Sequence, residues 1–191
     1  MQTARHLVRL IFVATVCGCA TPNAITQRPT TNTGMPTDLG PFVPTPMPIV
    51  RKMLELAEIK RDDLVYDLGC GDGRIVIKAA RLYGAHAVGI EYDRRLCEEA
   101  RRLAERAGVS ALVEIRHQDI FASDFSDATV VMLYLLPGSN KILEQKLRGL
   151  RHGTRIVTHD YGIGDWKPLR TEVLWTRDEF KHAVSLWRVG E

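Results

Sequence analysis

Residues 65–74 read Val-Tyr-Asp-Leu-Gly-Cys-Gly-Asp-Gly-Arg, and no other stretch limits the fold of this 191-residue chain so tightly. A short apolar run, residues 64–68, ends in glycines at positions 69, 71 and 73. Apolar residues then recur at helical spacing: Ile75, Val76, Ile77, Ala79, Ala80 and Leu82. The pattern predicts a buried strand, a tight turn and the start of a helix. Glycines let a backbone come close to a ligand, and the first turn of a helix presents unpaired N–H groups. A nucleotide-like ligand above the end of that strand uses all of these features. The bland alternative is a glycine-rich turn that binds nothing.

Spacing narrows the choice of nucleotide. In the dinucleotide fingerprint G-x-G-x-x-G the third glycine comes five residues after the first. Here Gly73 comes one residue early, and Asp67 stands two residues before Gly69. This D-x-G-x-G-x-G pattern resembles the first motif of the class I S-adenosylmethionine (SAM) methyltransferases. In that family the loop passes the amino-acid part of SAM. The resemblance implies SAM as cofactor and assigns Asp67, Gly69, Cys70, Gly71 and Gly73 to its binding. A NAD(P) site is the alternative left open by the glycines alone.

The following segments fit that fold. Residues 86–91 read as a second strand closed by Glu91, and an acid at that tip can accept both ribose hydroxyls. Such an acid suits NAD equally, so Glu91 speaks for a ribose only; Tyr92 beside it is counted with the cofactor residues. Residues 93–107 are amphipathic and end at Gly108, a helix stop signal. A short strand over 112–116 follows. The resemblance maps an adenine contact onto Asp119 and a ring contact onto Ile120; the plain alternative is a turn aspartate. His117 reads as structural.

Residues 128–136 form a nearly continuous apolar run, as a central parallel strand requires. A helix is expected over 140–150 and a fifth strand over 155–159. Residues 170–175 and 182–189 alternate like two antiparallel strands. Before the glycine loop, four prolines between 41 and 48 keep the chain extended, and helical spacing begins at Ile49. Thr45 there either faces the cofactor or ends the turn before the helix. The expected fold is α/β and Rossmann-like, the class I methyltransferase fold. Its mostly parallel sheet is closed by a C-terminal antiparallel hairpin, which NAD-binding folds lack.

Three strings carry a closer resemblance: residues 41–46 (Pro-Phe-Val-Pro-Thr-Pro), 65–77 and 131–137. They are similar to small bacterial relatives of the mitochondrial lysine methyltransferases that modify the ATP synthase c-subunit and the adenine nucleotide translocase. The similarity spans about residues 41–189 and implies a protein amine as methyl acceptor. The Asn-Pro-Pro-Tyr or Asp-Pro-Pro-Tyr motif of many amino methyltransferases is absent at residues 134–137, which counts against adenine, cytosine or glutamine. A lysine acceptor has an ordinary pKa near 10.4 and must lose its proton to attack. Tyr134 and Asp160, at the ends of two expected central strands, are the residues assigned to hold that amine, with structural roles as their alternative.

Charge and cysteines limit the partners. The net charge is +3, and the arginines at 94, 95, 101, 102 and 106 interleave with Glu98, Glu99 and Glu105. That describes a solvated helix face, not a nucleic-acid stripe. Cys70 and Cys97 have no metal-ligand spacing, so free thiols and no metal site are expected. Residues 1–19 combine a basic start, an apolar run too short to span a bilayer, and a lipobox-like end at Cys19. They are expected to export the chain as a lipoprotein, with residues 20–41 as a Thr/Pro-rich tether and 42–191 as the catalytic domain. Translation from Met35 would instead give a cytoplasmic enzyme. A monomer is expected. The competing reading from another class is an exported domain of this fold that binds a ligand without catalysis.

Overall fold

The computed structural model describes residues 40–177 and 179–191. The export segment, most of the tether and Met35 lie outside these residues.

The first helix, α1 (Met47–Leu56), starts directly after Pro46. Pro48 sits in its first turn, where a missing N–H costs nothing because that position has no intrahelical partner. Ile49, Val50, Met53 and Leu54 form its buried face. Strand β1 (Leu64–Leu68) then leads through the glycine loop into α2 (Arg74–Tyr83). Strand β2 (His86–Glu91) follows, then α3 (Arg94–Arg106), whose N-cap Asp93 accepts the Arg95 N–H at 2.8 Å. Next come β3 (Val113–His117), β4 (Val130–Leu133), α4 (Pro137–Arg148), β5 (Arg155–His159), β6 (Arg170–Trp175) and β7 (Lys181–Arg188).

Seven strands form one sheet in the order β3-β2-β1-β4-β5-β7-β6. The first five run parallel to their neighbours, and β7 pairs antiparallel with both β5 and β6. The expected α/β class and the closing hairpin are both present. Alternate residues feed two cores. Val65, Val130 and Met132 pack with α1 and α2, while Tyr66, Leu68, Val131 and Leu133 pack with α4 on the other face. Burial on both faces explains why the central strands read as unbroken apolar runs.

One expected strand is shorter than its apolar run. Strand β4 ends at Leu133, and the chain leaves the ladder three residues before Pro137 opens α4. Proline is tolerated at a first helical position, so α4 begins earlier than the expected residue 140. Strands β3 and β7 each differ from expectation by one residue.

Topology locates the site. From β1 the chain winds outward to β2 and β3, then returns to place β4 on the other side of β1. Such a reversal opens a crevice at the C-terminal ends of the two strands, where α/β sheets bind ligands.

Candidate active site

Asp67, Gly69 and Cys70 at the tip of β1 face Tyr134 and Leu135 after β4 across one pocket. Glu91 at the tip of β2 and Leu96 of α3 extend it sideways, and residues 40–45 cross over its top. The space measures about 600 Å³ with its open mouth included.

The glycine loop permits this closeness. Gly71 has φ +55°, and a Cβ there would stand 2.2 Å from the Phe42 ring. Gly73, also at positive φ, caps the start of α2. On β2, a Cβ at Gly89 would lie 2.6 Å from the Cys70 sulfur, so this glycine makes room for the loop's only large atom. Burial pushes the Cys70 thiol well above its ordinary range, with Asp67 and Glu91 adding to the effect. It packs as a neutral group.

Two carboxylates organise the pocket, in different ways. Glu91 is buried, and its oxygens already accept three backbone N–H groups: Gly71 at 2.9 Å, and Tyr92 and Asp93 at 2.8 Å each. This fixes the carboxylate against the loop and leaves lone pairs toward the pocket. Asp67 is equally buried, yet its carboxylate forms no hydrogen bond among the described residues. Desolvation, then the charges of Glu91 and Asp72, push its carboxyl up to about 8. A buried carboxylate facing a cavity without a partner is suited to a ligand that brings a positive charge.

Residues 40–46 act as a strap. Phe42 lies on Gly71, and the Arg74 guanidinium donates to the Thr45 carbonyl at 2.9 Å. Arg74 also grips Asp72 through its Nε at 2.9 Å, joining strap, loop and α2. Thr45 is buried and lines the pocket, and its hydroxyl is 3.4 Å from His159 Nδ1.

The other expected site residues divide. Tyr134 lines the pocket, with its ring 3.9 Å from the His159 ring, centroid to centroid. Burial, then the charge of Asp160, raises its phenol. Asp160 itself does not line the pocket: one oxygen accepts the Ala183 N–H, and the other faces His159 and His182. Asp119 holds a turn by accepting the Phe121 N–H at 2.9 Å, and Ile120 is fully enclosed in the core. Tyr92 is exposed and takes a ring contact from His117, whose Nε2 is 2.8 Å from the Tyr92 carbonyl. None of Asp119, Ile120 or Tyr92 lines the cavity. Phe42, Arg74 and Leu96 were not among the expected residues, although Phe42 belongs to one of the strings that carried the resemblance.

Known proteins are similar to this chain. A family model described as the ANTKMT methyltransferase domain matches residues 67–170. A protein-lysine N-methyltransferase of Saccharolobus islandicus is 44% identical, over 79% of this chain and 94% of its own length. The adenine nucleotide translocase lysine N-methyltransferase of Mus musculus is 33% identical over 72% of this chain, which spans 62% of that relative. Among solved structures, an RNA methyltransferase from Salinibacter ruber in complex with S-adenosyl-L-homocysteine is 50% identical with a TM-score of 0.74. That match covers 78% of this chain and 95% of the other. The family model spans more than half of the chain, and the archaeal relative is covered almost end to end. The chain belongs to the ANTKMT methyltransferase family.

Proposed function

We propose that the protein is a SAM-dependent methyltransferase acting on a lysine amine of another protein. The observation that carries this reading is the pair of buried carboxylates, Asp67 and Glu91, flanking the glycine loop at the tips of adjacent parallel strands. When bound, SAM supplies a methyl group activated by its sulfonium. Asp67 would pair with the ligand's ammonium, and Glu91 would hold the ribose. Phe42 and the strap keep water from the pocket, which strengthens every charge interaction inside.

The acceptor enters beside Tyr134. Desolvation there disfavours the ammonium form of a lysine, so the amine is held neutral. The Tyr134 hydroxyl accepts from or donates to that nitrogen and orients it. Asp160 acts from behind, through the charge that already reaches the Tyr134 phenol. Tyr134→Phe and Asp160→Asn are expected to lower kcat at least tenfold with SAM affinity unchanged. Full turnover in both variants would remove these two residues from the mechanism.

A second reading rests on the Salinibacter ruber structure, whose description names RNA as the substrate class. Labelled SAM incubated with enzyme and cell extract separates the two. Label that survives ribonuclease and is lost to protease supports the protein acceptor, and the reverse supports RNA. For the N-terminal segment we propose export and anchoring at Cys19 of a monomeric domain. The mass of the native protein decides between that lipidated form and a start at Met35.

A further inference from the structure

His159, Asp160 and His182 bring three possible ligand atoms within 4.8 Å of one another beside the pocket. His159 Nε2 and His182 Nδ1 are 2.9 Å apart, and Asp160 Oδ2 is 3.2 Å from each nitrogen. The His159 side chain is wholly buried, while those of His182 and Asp160 are 13% and 26% exposed. Side-chain chemistry does not fill this triangle well. A neutral ring nitrogen is either a donor or an acceptor, and an ionised carboxylate only accepts. With the carboxylate ionised, every placement of protons therefore leaves one edge between two acceptors or two donors. A cation at the centre takes all three lone pairs at once.

The dimensions suit such an ion. Nitrogen and oxygen ligands at 2.0–2.2 Å from a tetrahedral zinc stand roughly 3.3 Å from one another. The outer contacts of two ligands suit it as well, while the buried His182 Nε2 has no hydrogen-bond partner. Asp160 Oδ1 accepts the Ala183 N–H at 2.9 Å, which aims Oδ2 inward. His159 Nδ1 is left to Thr45, so its Nε2 is the free ligand. The backbone is shaped for this aim: Asp160 has φ +59°, a conformation that a residue with a side chain seldom adopts. The Asp160 N–H donates to the Ala183 carbonyl at 2.7 Å, locking β5 to β7 at the cluster.

We propose that these three residues form a binding site for a divalent first-row transition ion, with zinc the best fit, open at a fourth position. The ion clasps the end of β5 to the start of β7 beneath the Tyr134 ring. The ion would offset the Asp160 charge that the acceptor reading uses, so the two are tested apart: zinc binding is measured with neither cofactor nor acceptor present.

The test uses the tag-free full chain, stripped with chelator and titrated with zinc by calorimetry. Wild type is expected to bind one more equivalent than His182→Ala or His182→Gln and to gain thermal stability that chelator reverses. Circular dichroism establishes that each variant is folded. Cobalt in place of zinc is expected to give the intense visible bands of a four-coordinate ion in wild type only. Equal zinc stoichiometry in wild type and both folded variants would overturn the site, whatever SAM binding shows.

Discussion

Asp67 makes the cofactor site sensitive to pH. Its carboxyl is raised to about 8, chiefly by desolvation. A carboxyl raised in the folded state stabilises that state while protonated. The contribution is complete below the ordinary carboxylate range and is lost as pH rises through about 8. Thermal unfolding without cofactor should therefore show stability falling between roughly pH 5 and pH 8.5, with a flatter slope in Asp67→Asn. Pairing with the ligand ammonium draws the proton off Asp67, while the ligand's own amino group titrates at about 8. Calorimetric SAM affinity should peak at about pH 8, and Asp67→Asn should lose the rising limb. Gly71 is the second sensitive residue. A methyl added there meets Phe42, so Gly71→Ala should weaken SAM binding, and pairing it with Phe42→Ala should recover part of the loss. Residues of the glycine motif were legible in the sequence because their spacing is local. His159 and His182 were not, because only the register of two antiparallel strands brings them together.

Between residues and fold, one side chain ties the strap to the glycine loop and α2. Arg74 is the link between its Thr45 carbonyl and the glycine loop. Removing that guanidinium should speed hydrogen exchange at the amides of Phe42, Val43 and Thr45. SAM affinity should fall about tenfold, equivalent to ~1.4 kcal/mol, as expected for one charged hydrogen bond. Unchanged exchange in Arg74→Ala would mean that the remaining contacts, Phe42 on Gly71 and Thr45 with His159, hold the strap without it. Element boundaries were legible wherever polarity changes with structure, as at Glu91 and at Gly84, the C-cap of α2. The end of β4 was not. Leu135 remains buried after the strand stops, because a Cβ-free Gly69 lets it pack 2.9 Å from where a side chain would stand. Apolar loop and apolar strand look alike when both are covered.

Across the whole molecule, stability and chemistry are kept at opposite ends of the sheet. At the N-terminal end of β5, Arg155 pairs with the buried Asp63 and donates to the Ala57 carbonyl at 2.8 Å. Thr129 donates to the same Asp63 at 2.7 Å. Arg155→Ala leaves the buried Asp63 carboxylate with hydrogen bonds from Thr129 and the Lys60 N–H but no cation, and should cost about 3 kcal/mol, or a melting temperature lower by roughly 6–12 °C. SAM binding should survive, since the pocket lies at the other strand ends. In wild type, SAM at a hundred times its Kd should add about 2.7 kcal/mol of stability, readable as a rise of several degrees.

Gly40, where the described chain begins, sits against Leu136 and lines the pocket. The first described residue therefore stands at the opening of the pocket and not at the opposite end of the sheet. Were the domain fixed to a surface through that end, the opening would be held near that surface. Acceptors held on the same surface would meet it at a far higher local concentration than acceptors in free solution.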